Sequence, residues 1–529
     1  MKKKKRKTLL CALGTLAVLV AAMLVVLRLP KTQEEKFEEG NFKILSLNTD
    51  KIVEFIIENE KNQEPVTFAY DSENGWKYME DEDFKTNQNL VKSAMNVLSK
   101  LTSSRKLSDI GDRLDKYGLE QPQVRLRLTD SDNNSQVLLL GNPNEVTGGY
   151  YMMEEGTDCA YMVDGDFASA FGNDVYNYGL VEEMPGISFS NLMDMRVERK
   201  DYKFHMYKDE NGNKLNESGY AKWFIDEPLK QLMGCDSNYV KEGLESITGM
   251  TFAKMIDYKA TKEELKEYGL DSPTIITLKY KEAVNGDEAE SEQDLKFEEK
   301  ILEVLVGKEY KEDEENGSYY YCKVINYNGI KKVDSGAVGL IDTEAITAAM
   351  NLNTIDYVYP QIALPVLDTV DSIEVYKENE KIIDYEISKT KTKAENKTND
   401  AQKLTEEFQA AERTDGAVGN VITANQEEYD FTFHANGVEM GEKDFKEDYQ
   451  KLVSLRLENL YLEDEKIDDS KPAYTIVYHR SEGVKTITIK FHPYNKSYYA
   501  VEKNGVIQIL SNKAAVDEIL ENLKALSLK

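Results

Sequence analysis

His205, His434, His479 and His492 are the only histidines of this 529-residue sequence, and an unperturbed histidine is the one side chain that changes charge near neutral pH. Their spacing does not gather them. His479 and His492 share an expected hairpin, but a turn at Glu482-Gly483 would set His479 opposite about Lys485, so a two-histidine metal pair is not expected. Cys159, Cys235 and Cys322 are widely spaced with no C-x-x-C pair, and they read as ordinary half-buried thiols, with one disulfide as the alternative. The stretch "DSDNN", Asp130 to Asn134, begins like a calcium loop. Ser135 stands where such a loop needs glycine and Gly141 where it needs a bidentate glutamate, so the stretch predicts a hairpin turn. No H-E-x-x-H, G-x-S-x-G, S-x-x-K or phosphate-loop motif occurs. These residue types in these positions predict no catalytic, cofactor or metal site, and a protein that is not an enzyme.

Tyrosine offers binding chemistry instead. The doublets Tyr150-Tyr151, Tyr319-Tyr320 and Tyr498-Tyr499 recur at what reads as one structural place. Consecutive strand residues face opposite sides, so one ring of each pair should enter the core and the other should be exposed. A second recurrence is Tyr-Gly-Leu-x-x-Pro, at Tyr117, Gly118, Leu119 and Pro122 and again at Tyr268, Gly269, Leu270 and Pro273. Each follows a short run of helix formers, and Thr261 with Glu264 has the spacing of a capping box. The glycine supplies positive φ just past the helix end, Leu119 should meet Leu114 and Leu270 should meet Leu265, and the proline starts an extended segment. The order is helix, stop, strand, opposite to that of a phosphate-binding glycine loop.

The elements around these motifs repeat. Turn glycines and a tryptophan (Trp76 and Trp223) precede each motif, followed by an amphipathic helix. The first helix predicts a face of Leu90, Ala94, Val97 and Leu101 after an N-cap at Thr86. The second predicts Val240, Leu244 and Ile247 after Asn238. Strand, turn, Gly-ended strand and tyrosine-rich strand come after the proline. A third copy lacks the Trp and Tyr-Gly-Leu, but Pro472 and Phe491 are 19 residues apart, as are Pro122 and Gly141. The fold class is therefore α+β: three tandem, mostly antiparallel β-rich modules, each with one main helix and a short Gly-stopped helix. Module 1 is expected over 42–171 and module 2 over 186–352, with an acidic hairpin insertion at about 281–300. Module 3 is expected over 366–527, with a polar insertion at about 389–421. Each is long enough to hold its own core.

The chain carries 96 acidic and 66 basic residues, net −30, and six of the basic ones are Lys2 to Lys7. So acidic a remainder excludes a nucleic-acid binder. Leu9 to Leu27 is uncharged and strongly apolar, and Arg28 and Pro30 end it. It predicts a transmembrane anchor at 9–28 behind a cytoplasmic basic tail at 1–8, with the bulk of the chain extracytoplasmic at the plasma membrane. A signal peptide cut after Ala22 is the alternative, but the apolar run continues to Leu27.

The Trp after a hairpin, Tyr-Gly-Leu-x-x-Pro, and the Gly-ended strand followed by Tyr-Tyr resemble the family known as domain of unknown function 4340, over most of residues 42–527. The resemblance implies one N-terminal membrane helix and association with ABC-type transport components; the family has no assigned catalytic residue. The expected function is a membrane-anchored scaffold or accessory subunit held by residues 9–28, with an ABC-type permease as partner. The alternative is an envelope glycan- or peptide-binding protein using the tyrosine surfaces.

Overall fold

The computed structural model describes residues 37–145, 148–209, 221–285, 295–311, 318–327, 330–331, 337–391, 429–462, 467 and 471–528. The expected tail (1–8) and anchor (9–28) lie outside these residues, as do 286–294 of the first expected insertion and 392–421 of the second. No helix among the described residues is long and apolar enough to cross a membrane. The chain forms two compact units, Met1–Leu180 and Val181–Lys529.

The first unit holds one nine-stranded sheet. Its strands are β1 (Glu38–Lys43), β2 (Ile52–Asn59), β3 (Val66–Asp71), β4 (Gly75–Tyr78) and β5 (Thr102–Ser108). They continue with β6 (Val124–Asp130), β7 (Ser135–Pro143), β8 (Tyr150–Glu154) and β9 (Cys159–Val163). The spatial order is β4-β3-β2-β6-β7-β8-β9-β5-β1. Alternation makes the strands: in β6, Val124, Leu126 and Leu128 point to the core while Arg125 and Arg127 point out. Helix Gln88–Ser99 packs on the inner face beside helix Asp166–Phe171. Its buried side chains are Val91, Ala94 and Leu98; of the expected face, Ala94 and, just past the helix, Leu101 are buried, Val97 is half-buried and Leu90 is 39% exposed. Asn87, not Thr86, is the N-cap, its side-chain oxygen accepting from the backbone N–H of Asn89 and Leu90.

The second unit contains two sheets of the same plan. One comprises β10 (Leu192–Glu198), β11 (Lys203–Lys208), β12 (Trp223–Glu227), β13 (Met233–Cys235) and β14 (Phe252–Asp257). Its later strands are β15 (Thr274–Ala283), β16 (Phe297–Lys311), β17 (Ser318–Tyr327), β18 (Ile330–Lys331) and β19 (Val338–Asp342). Their order is β13-β12-β11-β10-β15-β16-β17-β19-β14, with β18 beside β17. The other has β20 (Val370–Lys377), β21 (Glu380–Lys391), β22 (Tyr429–Ala435), β23 (Val438–Met440) and β24 (Asn459–Leu460). It closes with β25 (Tyr474–Arg480), β26 (Thr486–Pro493), β27 (Tyr498–Lys503) and β28 (Val506–Asn512), in the order β23-β22-β21-β20-β25-β26-β27-β28-β24. All three sheets are antiparallel and β-rich, with few helices, an α+β architecture.

The strand that follows each main helix crosses to the far side of the sheet and pairs with its last hairpin strand: β5 with β9, β14 with β19, β24 with β28. This strand is not legible in the sequence, because its pairing partner lies tens of residues away. Helix Ser237–Thr248 buries Val240, Leu244 and Ile247 completely, but its N-cap is Asp236 rather than Asn238. In the third sheet, helix Glu442–Val453 buries Phe445, Tyr449 and Leu452.

The second and third sheets share one hydrophobic core that runs from Leu192 through Tyr357, Ile362 and Leu367 to Ala525. Polar bonds join them as well. Gln508, 3% exposed, accepts from the Gln231 N–H at 2.8 Å and donates back to the Gln231 carbonyl at 2.8 Å. The Ile362 N–H reaches the Leu455 carbonyl and the Leu457 N–H reaches that of Pro360.

Candidate functional site

The Tyr-Gly-Leu motifs are helix stops. Asp115–Tyr117 is a 3-10 turn and Lys262–Glu267 an α-helix with the complete Thr261–Glu264 capping box. Gly118 has φ +69° and Gly269 φ +74°. The Leu119 N–H reaches the Leu114 carbonyl at 2.9 Å and the Leu270 N–H reaches that of Leu265 at 2.8 Å, the Schellman bond in both copies. The motif then docks on a strand end. A Cβ on Gly141 would overlap the Tyr117 carbonyl oxygen, and one on Gly307 that of Tyr268. In the first unit the docked segment builds a second small core on the back of the sheet from Leu107, Ile110, Tyr117, Leu119, Leu139, Tyr151, Met153 and Ala160.

Register refines the tyrosine doublets. Leu140 pairs with Met152, Val306 with Cys322, and Phe491 with Val501. Tyr150, Tyr320 and Tyr499 are therefore equivalent, and Tyr151 corresponds to Tyr321 and Ala500. The doublets do not share one place: those of the second and third sheets are shifted by one residue against that of the first. Ring contacts agree, with Tyr117–Tyr151 at 4.8 Å and Tyr268–Tyr321 at 4.7 Å. Tyr151 and Tyr499 are buried beside half-buried Tyr150 and Tyr498, whereas Tyr319 and Tyr320 are both half-buried. The Tyr499 hydroxyl, raised well above the ordinary tyrosine value by burial and by its bond to Asp517, donates to that carboxylate at 2.7 Å. Pro122 and Pro273 precede β6 and β15, as expected of strand starters.

The same register places His492, not Phe491, level with Gly141, since Tyr474 pairs with Phe491 as Val124 pairs with Leu140. His492 is fully buried. Its Nε2 lies 3.0 Å from Glu502, which also accepts from Lys490 Nζ at 2.8 Å. Burial opposes ionisation of Glu502, but the bonds to Lys490 and His492 hold its carboxyl below the usual value. A glycine is required at this level only where a Tyr-Gly-Leu segment crosses it, and the third copy has none.

Trp76 and Trp223 occupy the third meander strand of their sheets with different fates. Trp223 is 1% exposed; it pairs with Cys235 of β13 and stacks on Phe189 at 5.7 Å. In the first sheet no fourth meander strand covers β4 among the described residues, and Trp76 stays half-exposed.

One half-buried ionisable group lies outside every sequence motif. His205 Nδ1 lies 2.7 Å from Asp226 and Nε2 lies 3.0 Å from Asp194, across β10, β11 and β12. Burial alone would lower its pKa, but the bonds and charges of Asp194 and Asp226 outweigh that and raise it above 6.5. Both ring nitrogens are engaged as donors in the imidazolium, so the arrangement stores a charge and leaves no lone pair for a metal or a proton relay. The tight Arg199–Tyr202 turn joining β10 and β11 was the readable signal. Among the described residues, no group of three or more His, Cys, Asp or Glu is placed to hold a metal ion. "DSDNN" is the β6–β7 turn, with Asp130 accepting from Asp132 and Asn134. Cys235 and Cys322 are buried free thiols, raised well above the ordinary value by burial, and Cys159 is a half-buried free thiol.

No curated protein and no solved structure matches the chain. The family model described as domain of unknown function (DUF4340) matches residues 76–273, from the half-exposed tryptophan of the first sheet to the proline that closes the second Tyr-Gly-Leu motif. Over residues 76–273 the chain is similar to the DUF4340 family of domains of unknown function.

Proposed function

We propose that the protein is a membrane-anchored, extracytoplasmic scaffold or accessory subunit, without enzymatic activity of its own, that works with an integral membrane partner, an ABC-type permease. The anchor is the apolar run at 9–28 and the basic tail before it holds the N-terminus in the cytoplasm. The observation that carries the reading is that the recurring residues are spent on packing. Tyr117, Gly118 and Leu119 seal the back of one sheet, and their counterparts dock the same way on the next. What is repeated is a platform, and the second and third platforms are fused through one core. A tether raises the effective concentration of such a platform toward other membrane proteins, so a weak surface suffices to hold a partner.

Affinity purification of the full-length chain from mild detergent tests this. The expected result is recovery of an integral membrane protein, with far weaker capture by a fragment beginning near Phe42. Recovery of the full-length chain alone, together with glycan binding by that fragment, would move the assignment to an envelope binding protein.

A further inference from the structure

The first sheet has an aromatic row that leaves its core. Phe68 stacks on Phe55 at 4.9 Å, Phe55 meets Trp76 at 5.2 Å, and Trp76 meets Tyr70 edge-on at 5.6 Å. Phe55 and Phe68 are fully buried, whereas Tyr70 is 50% exposed and Met79, just beyond β4, is 57% exposed. Strand β4 is a sheet edge, yet it is not open to another strand at this point. The Gln88 side chain accepts from the Trp76 N–H and donates to the Trp76 carbonyl, both at 2.8 Å. A partner therefore meets the rings, not the backbone.

The charge around the rings is one-sided. Residues 71–83 contain six acidic side chains and a single lysine. That lysine, Lys77, lies 3.8 Å from Asp71. Glu73 and Glu82 are exposed. An electron-rich ring face on so acidic a segment suits a guanidinium, which can lie over an aromatic ring while its edge bonds a carboxylate. The same charge repels anionic lipid and nucleic acid.

We infer that Tyr70 and Trp76 with the acidic side chains of the same segment form a docking surface for an arginine-rich segment of a protein partner. The inference does not depend on the tether reading, since it uses only side chains of the first sheet. The two tryptophans make it measurable: Trp223 is buried, so a ligand at this edge acts on the emission of Trp76.

The full-length chain in zwitterionic detergent would be titrated with an (Arg-Ser)5 peptide, which has no aromatic residue of its own. A saturable change in tryptophan emission is expected, absent in Trp76→Phe. Its midpoint should rise about fivefold or more in Tyr70→Ser and in the double variant Glu73→Lys/Glu82→Lys. Both variants alter exposed side chains, and an unchanged melting temperature would show that they fold. No emission change, or one that survives Trp76→Phe, would overturn the inference. So would an equal change with an N-acetylglucosamine oligomer that is indifferent to the charge reversal; that result would make the rings a carbohydrate platform.

Discussion

Gly141 lies so close to the backbone carbonyl oxygen of Tyr117 that a methyl group on its Cα would overlap that oxygen, and Gly307 stands in the same relation to Tyr268. The helix stop and the strand end thus fit as one joint, made twice. Each joint needs two glycines for different reasons: Gly118 and Gly269 for positive φ, Gly141 and Gly307 for space.

Substitution should separate those reasons and report on one unit at a time. Gly141→Ala should destabilise the first unit by about 1–3 kcal/mol through overpacking, and Gly118→Val by a similar ~1–3 kcal/mol through backbone strain. Gly307→Ala and Gly269→Val should act on the second unit alone. Hydrogen exchange resolved by segment measures this, and unchanged protection of Leu107–Tyr151 in Gly118→Val would refute the joint.

His205 predicts a pH dependence confined to the second unit. Its folded pKa is raised, so the stability it contributes is fully present below about 6.5, the unfolded value, and is lost as pH rises through the higher folded value. Lys279, 4.0 Å from Asp194, opposes the imidazolium from β15, and Tyr207 stacks on it at 5.2 Å. His205→Gln should cost about 1–3 kcal/mol at pH 5.5 and much less at pH 9. Melting curves at the two pH values that shift equally on substitution would contradict the double carboxylate clamp.

Asp448 latches the C-terminus. It is fully buried and accepts from the Lys524 and Ala525 N–H groups at 2.8 and 2.9 Å and from the Tyr385 hydroxyl at 3.0 Å. Asp448→Ala leaves three donors without an acceptor and should cost about 2–4 kcal/mol. Limited proteolysis should then release the segment after Glu521 early. A wild-type cleavage pattern in the variant would show that packing, not this carboxylate, holds the end.

Much of the layout was legible from residues alone because its causes are local. A glycine after a helix, a leucine five residues from its partner, and a proline before a strand act within one turn of chain, and Tyr-Gly-Leu-x-x-Pro carries all three. Alternation in "VRLRLT" and "YTIVYH" specifies strands and their buried face by the same short range. What the tertiary structure decided depends on partners far along the chain. Asp194, His205 and Asp226 meet only when three strands are in register. Leu90 is exposed because the core meets the helix on the face of Val91, Ala94 and Leu98. His492 holds the level of a glycine because the β25–β26 register is set one residue later than that of β6–β7, and Trp76 is open while Trp223 is sealed because the fourth meander strand of the second sheet has no counterpart beside β4 among the described residues. Each of these outcomes is a difference in pairing energy between distant segments, and no window of sequence contains both sides of it.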